Sequence, residues 1–164
     1  PLYSSAASDV YKRQALNQCG DEARIRALAA FHDRWQDNAL VMEKWFQMES
    51  MSSIGGSIDR LEELMRHPGF DPKNPNKLRA VLGAFMMGNT PQFHAADGSG
   101  YGFIADQLIE IDRRNPQVAA RMALPMTRMS GYDSARQQAM RAALERVQSG
   151  AQSNDLKEVV DKAL

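Results

Sequence analysis

The chain has 164 residues, and twenty basic and twenty acidic side chains give it a formal net charge of zero. This balance argues against nucleic acid or an acidic membrane surface as a partner, and no apolar run approaches the roughly 18 residues that a membrane span needs. The single cysteine, Cys19, excludes an intrachain disulfide and favours a reducing compartment.

The first fourteen residues, PLYSSAASDVYKRQ, differ in character from the rest of the chain. They carry no sustained helical stripe, and they resemble the translated adapter read-through found in assembled sequence fragments. We therefore expect residues 1–14 to be non-native and residues 15–164 to form the domain.

Three helices are predicted in the first half of that domain. Asp21 can cap the first, whose shared face is predicted to hold Ile25, Leu28, Ala29 and His32. Asp37-Asn38 precedes the second, which is apolar around much of its circumference through Val41, Met42, Trp45, Phe46, Met48 and Glu49. After a break containing Gly55-Gly56, the third carries Ile58, Leu61, Leu64 and Met65. The sequence His67-Pro68-Gly69 ends it.

Two Asn-Pro pairs, Asn74-Pro75 and Asn115-Pro116, mark further helix starts about 40 residues apart. Asparagine is a good N-cap, and proline fits the first helical position because its missing N–H would have no partner there. The first start leads into an apolar stripe of Leu78, Val81, Leu82, Phe85 and Met86. A glycine-rich loop from Gly88 to Gly100 then precedes a second stripe of Tyr101, Ile104, Ala105, Leu108 and Ile111.

The remaining helices follow the second Asn-Pro pair. The first of them carries Val118, Met122, Met126 and Met129, and Pro125 predicts a kink or break. Asp133 or Ser134 caps the next, which buries Met140, Ala143, Leu144 and Val147 and ends at Ser149-Gly150. The last starts near Ser153 and carries Leu156, Val159, Val160 and Ala163. The pattern predicts an all-α fold of about eight helices, arranged as antiparallel pairs in a HEAT-like curved solenoid.

Local motifs give no catalytic or metal site. His32, His67 and His94 are far apart in sequence, none lies in HExxH, and there is no cysteine pair. His94 and Asp97 are the nearest to a ligand pair, but a site needs a larger constellation, so a structural or solvated role is favoured. An independent enzyme built on these two residues is the weakest hypothesis.

Two arginines occupy comparable positions after the Asn-Pro pairs. Arg79 lies in the second turn after Asn74, and Arg121 in the second turn after Asn115, with Gln117 one turn before it. A guanidinium group can bind a carboxylate bidentately, so these residues could contact an anionic ligand. The alternative, which physics alone favours, is ordinary salt bridging within each helix.

Several long blocks also resemble a known family. Leu40 to Ser50 (LVMEKWFQMES), Asn74 to Phe85 (NPNKLRAVLGAF), Phe93 to Asp106 (FHAADGSGYGFIAD) and Arg114 to Met122 (RNPQVAARM) are similar, in order and spacing, to the carboxy-terminal domain of bacterial aminopeptidase N. The ending YDSARQQAMRAALERV matches as well. The resemblance covers residues 15–164 and departs from the family in residues 1–14.

This resemblance implies a cytoplasmic zinc metallo-aminopeptidase as the parent protein. Its HExxH and GAMEN motifs, which bind zinc and the substrate's amine, are not found in this chain. The chain would then be a fragment that is inactive alone, with zinc bound outside it. In the family this helical domain closes over the catalytic domain and lines an internal cavity. By match, Arg79, Gln117 and Arg121 would face that cavity and contact the peptide substrate.

The partners implied are the catalytic and amino-terminal domains of the same polypeptide. The competing hypothesis is a free-standing helical-repeat module that binds a partner peptide without catalysis. The reading frame upstream of Ala15 distinguishes the two.

Overall fold

The computed structural model describes residues 22–52 and 58–164. Within these ranges all regular structure is helical, which confirms the all-α prediction. Cys19, the segment 1–14, the predicted cap at Asp21 and the Gly55-Gly56 break lie outside the described residues. The chain divides into two compact units, with the boundary between Thr90 and Pro91.

Unit 1 is built around helix α2. Its elements are α1 (Glu22–Trp35), α2 (Ala39–Ser50), α3 (Ile58–Arg66), α4 (Pro75–Leu78), a π-helical segment (Arg79–Gly83) and α5 (Ala84–Gly88). Helices α1, α3 and α5 and the π-helical segment all pack against α2. As predicted, α2 is largely buried, through Val41, Met42, Trp45, Phe46, Met48 and Glu49. Its remaining face, which holds Leu40 and Lys44, is exposed to solvent.

The buried face of α1 differs from the prediction. Ile25 is 64% exposed and Ala29 is exposed, whereas Phe31 and Trp35 are buried together with Leu28. Arg24 lies on the same buried face as Leu28, Phe31 and Trp35, and its guanidinium lies 3.5 Å from the buried carboxylate of Glu49 on α2. With this face packed inward, Ile25 is left on the outside.

The Asn74-Pro75 start is confirmed. The Asn74 side chain accepts a hydrogen bond of 2.9 Å from the Asn76 N–H, and Pro75 is the first helical residue. The helix then continues through a π-helical turn, which the sequence pattern did not predict. The predicted stripe is nevertheless buried, through Leu78, Val81, Leu82, Phe85 and Met86.

Unit 2 packs four longer helices. They are α7 (Ser99–Asp112), α8 (Pro116–Thr127), α9 (Ser134–Gly150) and α10 (Asn154–Asp161), with a 3-10 turn at Met129–Gly131. Helix α8 packs against α7 and α10, and α9 packs against α7 and α10. The predicted cap Asn115 accepts a backbone hydrogen bond, and so does Asp133, one of the two candidates for the cap of α9. The helix predicted to start near Ser153 is capped by the side chain of that serine. The predicted inward side chains of α9 are buried, namely Met140, Ala143, Leu144 and Val147.

Two details of unit 2 differ from or refine the prediction. The segment predicted as a loop from Gly88 to Gly100 contains a short helix, α6 (Thr90–Phe93). Helix α8 contains Pro125 and ends at Thr127, in line with a break expected near this proline. Before α7, Gly98 adopts a φ of 72°, a conformation that other residues rarely take.

Candidate functional site

Arg79 lies on the surface of unit 1, at the start of the π-helical segment. Its Nη1 donates a hydrogen bond of 3.0 Å to Oδ1 of Asn76. This bond orients the guanidinium group and leaves its other N–H groups available. Short π-helical insertions occur frequently at functional sites because they alter the direction of the side chains that follow.

The backbone under Arg79 is fixed by its neighbours. Lys77 is buried, and its Nζ donates a hydrogen bond of 3.2 Å to the carbonyl oxygen of Ala39 at the start of α2. The same ammonium lies 5.3 Å from the centre of the Phe46 ring, at cation–π distance. Together with the Asn74 cap, these contacts hold α4 against α2.

A polar pocket of about 200 Å³ lies beside Arg79. Its walls come from α2 and from the α4 region, and its lining residues are Glu43, Lys44, Gln47, Asn76, Arg79 and Ala80. Two cations and one carboxylate therefore surround a space that could hold a few polar ligand atoms. A ligand carboxylate there could accept hydrogen bonds from both Arg79 and Lys44.

Gln117 and Arg121 lie one turn apart on α8, in unit 2, and both are exposed. The opposite face of α8 is buried in the unit through Val118, Ala119, Met122, Ala123 and Met126. The Asn115 cap, which accepts a hydrogen bond of 3.2 Å from the Val118 N–H, fixes where this helix begins. Packing and cap together determine which residues of α8 reach solvent.

Neither Arg79 nor Arg121 has a carboxylate within ion-pair distance among the residues that the structure describes. Other surface arginines differ: Arg66, Arg113 and Arg146 each lie 2.6 Å from a carboxylate oxygen. The salt bridges considered as the alternative role for Arg79 and Arg121 are thus not formed in the described part of the chain. Both guanidinium groups remain able to bind an external anion.

His94 and Asp97 do not pair with each other. His94 Nδ1 lies 2.7 Å from the hydroxyl of Tyr101, and Nε2 lies 3.0 Å from that of Tyr132. Asp97 instead accepts hydrogen bonds from the backbone N–H and the hydroxyl of Ser99. Burial, and then the charge of Arg136, lower the pKa of His94, so the ring is a neutral, buried structural element.

The described residues do not offer a site for zinc. Across residues 22–52 and 58–164, no cluster of three or more histidine, cysteine, aspartate or glutamate side chains is arranged to hold a metal ion. Within the same ranges, no helix has the length and apolarity that crossing a membrane requires.

Sequence reasoning missed two sets of contacts. It did not place Glu43 and Lys44 beside Arg79, because those residues precede Arg79 by more than thirty positions and carry no motif. It also did not bring together His32 and His67, whose Nε2 atoms are 3.0 Å apart. Local spacing carries no signal for either contact, since both depend on how separate helices pack.

Comparison with known proteins shows which family the chain belongs to. The model of the family DUF3458_C, described as a domain of unknown function with ARM repeats, matches residues 9–164. The match extends into the segment 1–14, and the non-native origin of that segment stays a prediction.

Three curated relatives bear the name aminopeptidase N. The chain is 42% identical over 142 residues to the protein of Escherichia coli and 43% identical over 138 residues to that of Haemophilus influenzae. It is 36% identical over 146 residues to the protein of Caulobacter vibrioides. These alignments cover 84–88% of this chain but only 16–17% of the relatives.

A solved structure shares the fold. It is that of Legionella pneumophila aminopeptidase A in complex with aspartic acid, with a TM-score of 0.87 and 31% sequence identity. The likeness covers 94% of this chain and 18% of that one. The family description thus gives the chain a helical-repeat fold, and the neighbour of known structure shares the fold of this chain.

Proposed function

We propose that this chain, which belongs to the DUF3458_C family of helical-repeat domains represented in aminopeptidase N, acts as the carboxy-terminal lid of a bacterial aminopeptidase N. The parent enzyme would remove amino-terminal residues from peptides in the cytoplasm. Its helical domain would cover the catalytic domain and form part of the wall of an internal cavity. The chain spans 16% of the length of the Escherichia coli relative, which leaves room for a catalytic domain elsewhere.

The observation that carries this proposal is that two arginines lack a carboxylate partner in the described part of the chain. Arg79 and Arg121 follow equivalent Asn-Pro helix starts, and neither guanidinium pairs with a carboxylate in the described part of the chain. A peptide inside a closed cavity loses the water around its terminal carboxylate, which is costly unless a cation replaces it. Arg79 in unit 1 can supply such hydrogen bonds, and so, separately, can Gln117 and Arg121 in unit 2.

Zinc would be held by residues outside this chain, since the described residues do not fit such a site. When bound, zinc lowers the pKa of its water and polarises the scissile carbonyl. This chain would contribute the binding and enclosure of the substrate. Enclosure excludes water and strengthens every electrostatic contact within the cavity.

The test compares the chain alone with the longer polypeptide encoded by the intact gene. Both are saturated with zinc and assayed on an aminoacyl chromogenic amide and on short peptides. The longer polypeptide should hydrolyse both substrates and lose activity to a chelator, whereas the chain alone should show no turnover. A gene that starts just before Ala15 and encodes no catalytic domain would contradict the proposal and would favour a free-standing interaction module.

A further inference from the structure

Two histidines from separate elements of unit 1 form a direct pair. His32 lies on α1, and His67 directly follows α3. Their Nε2 atoms are 3.0 Å apart, which is hydrogen-bond distance, and their ring centres are 5.1 Å apart. The Nδ1 atoms of both rings also have partners. His32 Nδ1 lies 3.3 Å from Oδ1 of Asp33, and His67 Nδ1 accepts a 2.9 Å hydrogen bond from the Gly69 N–H.

These contacts determine where the protons are. The Gly69 N–H can only donate, so Nδ1 of His67 must be unprotonated. A neutral His67 then carries its proton on Nε2. That N–H points to Nε2 of His32, which must accept the hydrogen bond and must therefore be unprotonated. His32 then carries its proton on Nδ1, where the Asp33 carboxylate accepts it. One arrangement of two neutral rings satisfies all three contacts.

A third proton on the pair breaks at least one contact in every arrangement. Three protons leave one of the four ring nitrogens unprotonated. If that nitrogen is a Nδ1, both Nε2 atoms carry protons and repel each other. If the unprotonated nitrogen is a Nε2, Nδ1 of His67 carries a proton and faces the Gly69 N–H. The three contacts therefore fit two protons, and a third proton costs either the Nε2–Nε2 hydrogen bond or the hydrogen bond from the Gly69 N–H.

The surroundings of His67 oppose a positive charge on its ring. From α2, the rings of Trp45 and Phe46 pack against His67 at 5.3 and 5.4 Å. The charged groups that face the pair are Asp33 on α1, Arg60 on α3 and Lys77 on α4. Burial, followed by the charges of His32, Arg60 and Lys77, lowers the pKa of His67.

We propose that His32 and His67 form a pH-sensitive latch, which fastens α1 to the segment after α3 while both rings are neutral and weakens when the pair takes up a proton. The latch is separate from the proposed peptide-binding residues. It acts on the stability of unit 1, which acidification should therefore lower.

The direction of the effect follows from linkage. A histidine whose pKa is lowered by folding binds its proton more readily in the unfolded chain. The contribution of the contacts that neutral His67 makes is therefore complete above the ordinary histidine pKa of about 6.5. It is lost as the pH falls from that value toward the pKa of the folded state.

The first test reads the tautomers in the wild-type chain by nitrogen NMR of the imidazole rings at about pH 8, above the ordinary histidine pKa. His67 should be protonated at Nε2 and His32 at Nδ1. On acidification, both rings should change together with the amide signal of Gly69. The same tautomer in both rings, or independent titration of the two rings, would overturn the latch.

The second test compares thermal unfolding of wild type and His32→Gln. The glutamine amide oxygen can still accept the hydrogen bond from His67 Nε2, but the side chain does not titrate. Trp35 and Trp45, the only two tryptophans of the sequence, both lie in unit 1, so their fluorescence reports its unfolding. Between about pH 8 and about pH 5.5, wild type should lose about 2–5 °C more in Tm than His32→Gln does.

His94→Gln provides the matched control, because it removes the third histidine, in unit 2, and leaves the pair intact. This variant should keep the acid-induced fall in the Tm of unit 1. If wild type and His32→Gln lose Tm equally, the latch is refuted. If His32→Gln does not fold, the tautomers of the wild-type chain decide the question.

Discussion

Asp112, the last residue of α7, is joined to Ser153, the cap of α10, by two hydrogen bonds. Its carboxylate accepts from the Ser153 N–H at 3.0 Å and from the Ser153 hydroxyl, and it also accepts from the Gln152 N–H at 2.7 Å. Asp112 is only 2% exposed. A buried carboxylate with three donors is a strong tie between two helices, because charged hydrogen bonds exceed neutral ones in strength.

This tie should make unit 2 sensitive to acid. Burial opposes ionisation of Asp112, but the hydrogen bonds from Ser153 and Gln152 and the charge of Lys157 outweigh it and lower the pKa. A carboxylate whose pKa is lowered by folding stabilises the protein above its unfolded pKa of about 4. That contribution is lost as the pH falls through the folded pKa.

Asp112→Asn should therefore destabilise the chain by about 1–3 kcal/mol at neutral pH. The amide cannot accept all three hydrogen bonds as a carboxylate does. The difference from wild type should shrink as the pH falls below about 4. Urea unfolding across this range measures it, with Asp155→Asn, an exposed aspartate of α10, as control. Equal losses in the two variants would show that net charge, and not the tie, is responsible.

The caps at the Asn-Pro starts allow a second prediction. Asn115→Ala removes the acceptor for the Val118 N–H and should cost about 0.5–2 kcal/mol of unfolding free energy. Asn154→Ala is the control, because Asn154 is an exposed first-turn residue of α10 whose cap is Ser153. Chemical denaturation of both variants gives the comparison. A loss for Asn154→Ala as large as that for Asn115→Ala would count against the capping role.

Two glycines of α7 should respond in opposite ways to alanine. A Cβ at Gly100 would lie 2.4 Å from the carbonyl oxygen of Phe93, whereas a Cβ at Gly102 meets no atom within 4 Å. Gly100→Ala should destabilise the unit because the backbone of α6 must move. Gly102→Ala should stabilise it by up to about 1 kcal/mol through helix propensity. Thermal unfolding of the pair checks this, and similar Tm values would refute the close-approach argument.

Large apolar side chains on the surface lead to a fourth prediction. Ile25, Leu40 and Met87 in unit 1 are 64%, 61% and 81% exposed. If a catalytic domain covers such side chains in the parent enzyme, the chain alone should bind a hydrophobic dye and self-associate. Replacing the three residues with glutamine should reduce both effects, as fluorescence and light scattering would show. A strictly monomeric wild-type chain at high concentration would argue against a covered surface.

Periodicity predicted most of the helices because their burial is amphipathic. The caps at Asn74 and Asn115, and Asp133 as one of two candidates, followed from residue type alone, since each needs only its own side chain and a backbone N–H nearby. The buried face of α1 was predicted less well. Ile25 and Phe31 both lie at helical spacing from Leu28, and the choice between them depends on contacts with other helices, which include that of Arg24 with Glu49 on α2.

Sequence reasoning predicted only part of the candidate site. Arg79, Gln117 and Arg121 came from their positions after the Asn-Pro pairs and from family resemblance, and their role in peptide binding stays a prediction. The pocket that adds Lys44 to Arg79, and the pairing of His32 with His67, arise from packing between helices. No spacing rule along the chain encodes such contacts.

The most direct test of the peptide-binding proposal is Arg121→Ala in the full-length enzyme, with kcat/KM measured on short peptides and on aminoacyl amides that lack a carboxylate. Arg114→Ala, an exposed arginine just before α8, is the control. If Arg121 binds the terminal carboxylate, kcat/KM for peptides should fall by the equivalent of about 1–3 kcal/mol and that for amides should scarcely change. Equal losses on the two substrates, together with a lower Tm, would show that Arg121 is a structural residue and would contradict the proposal.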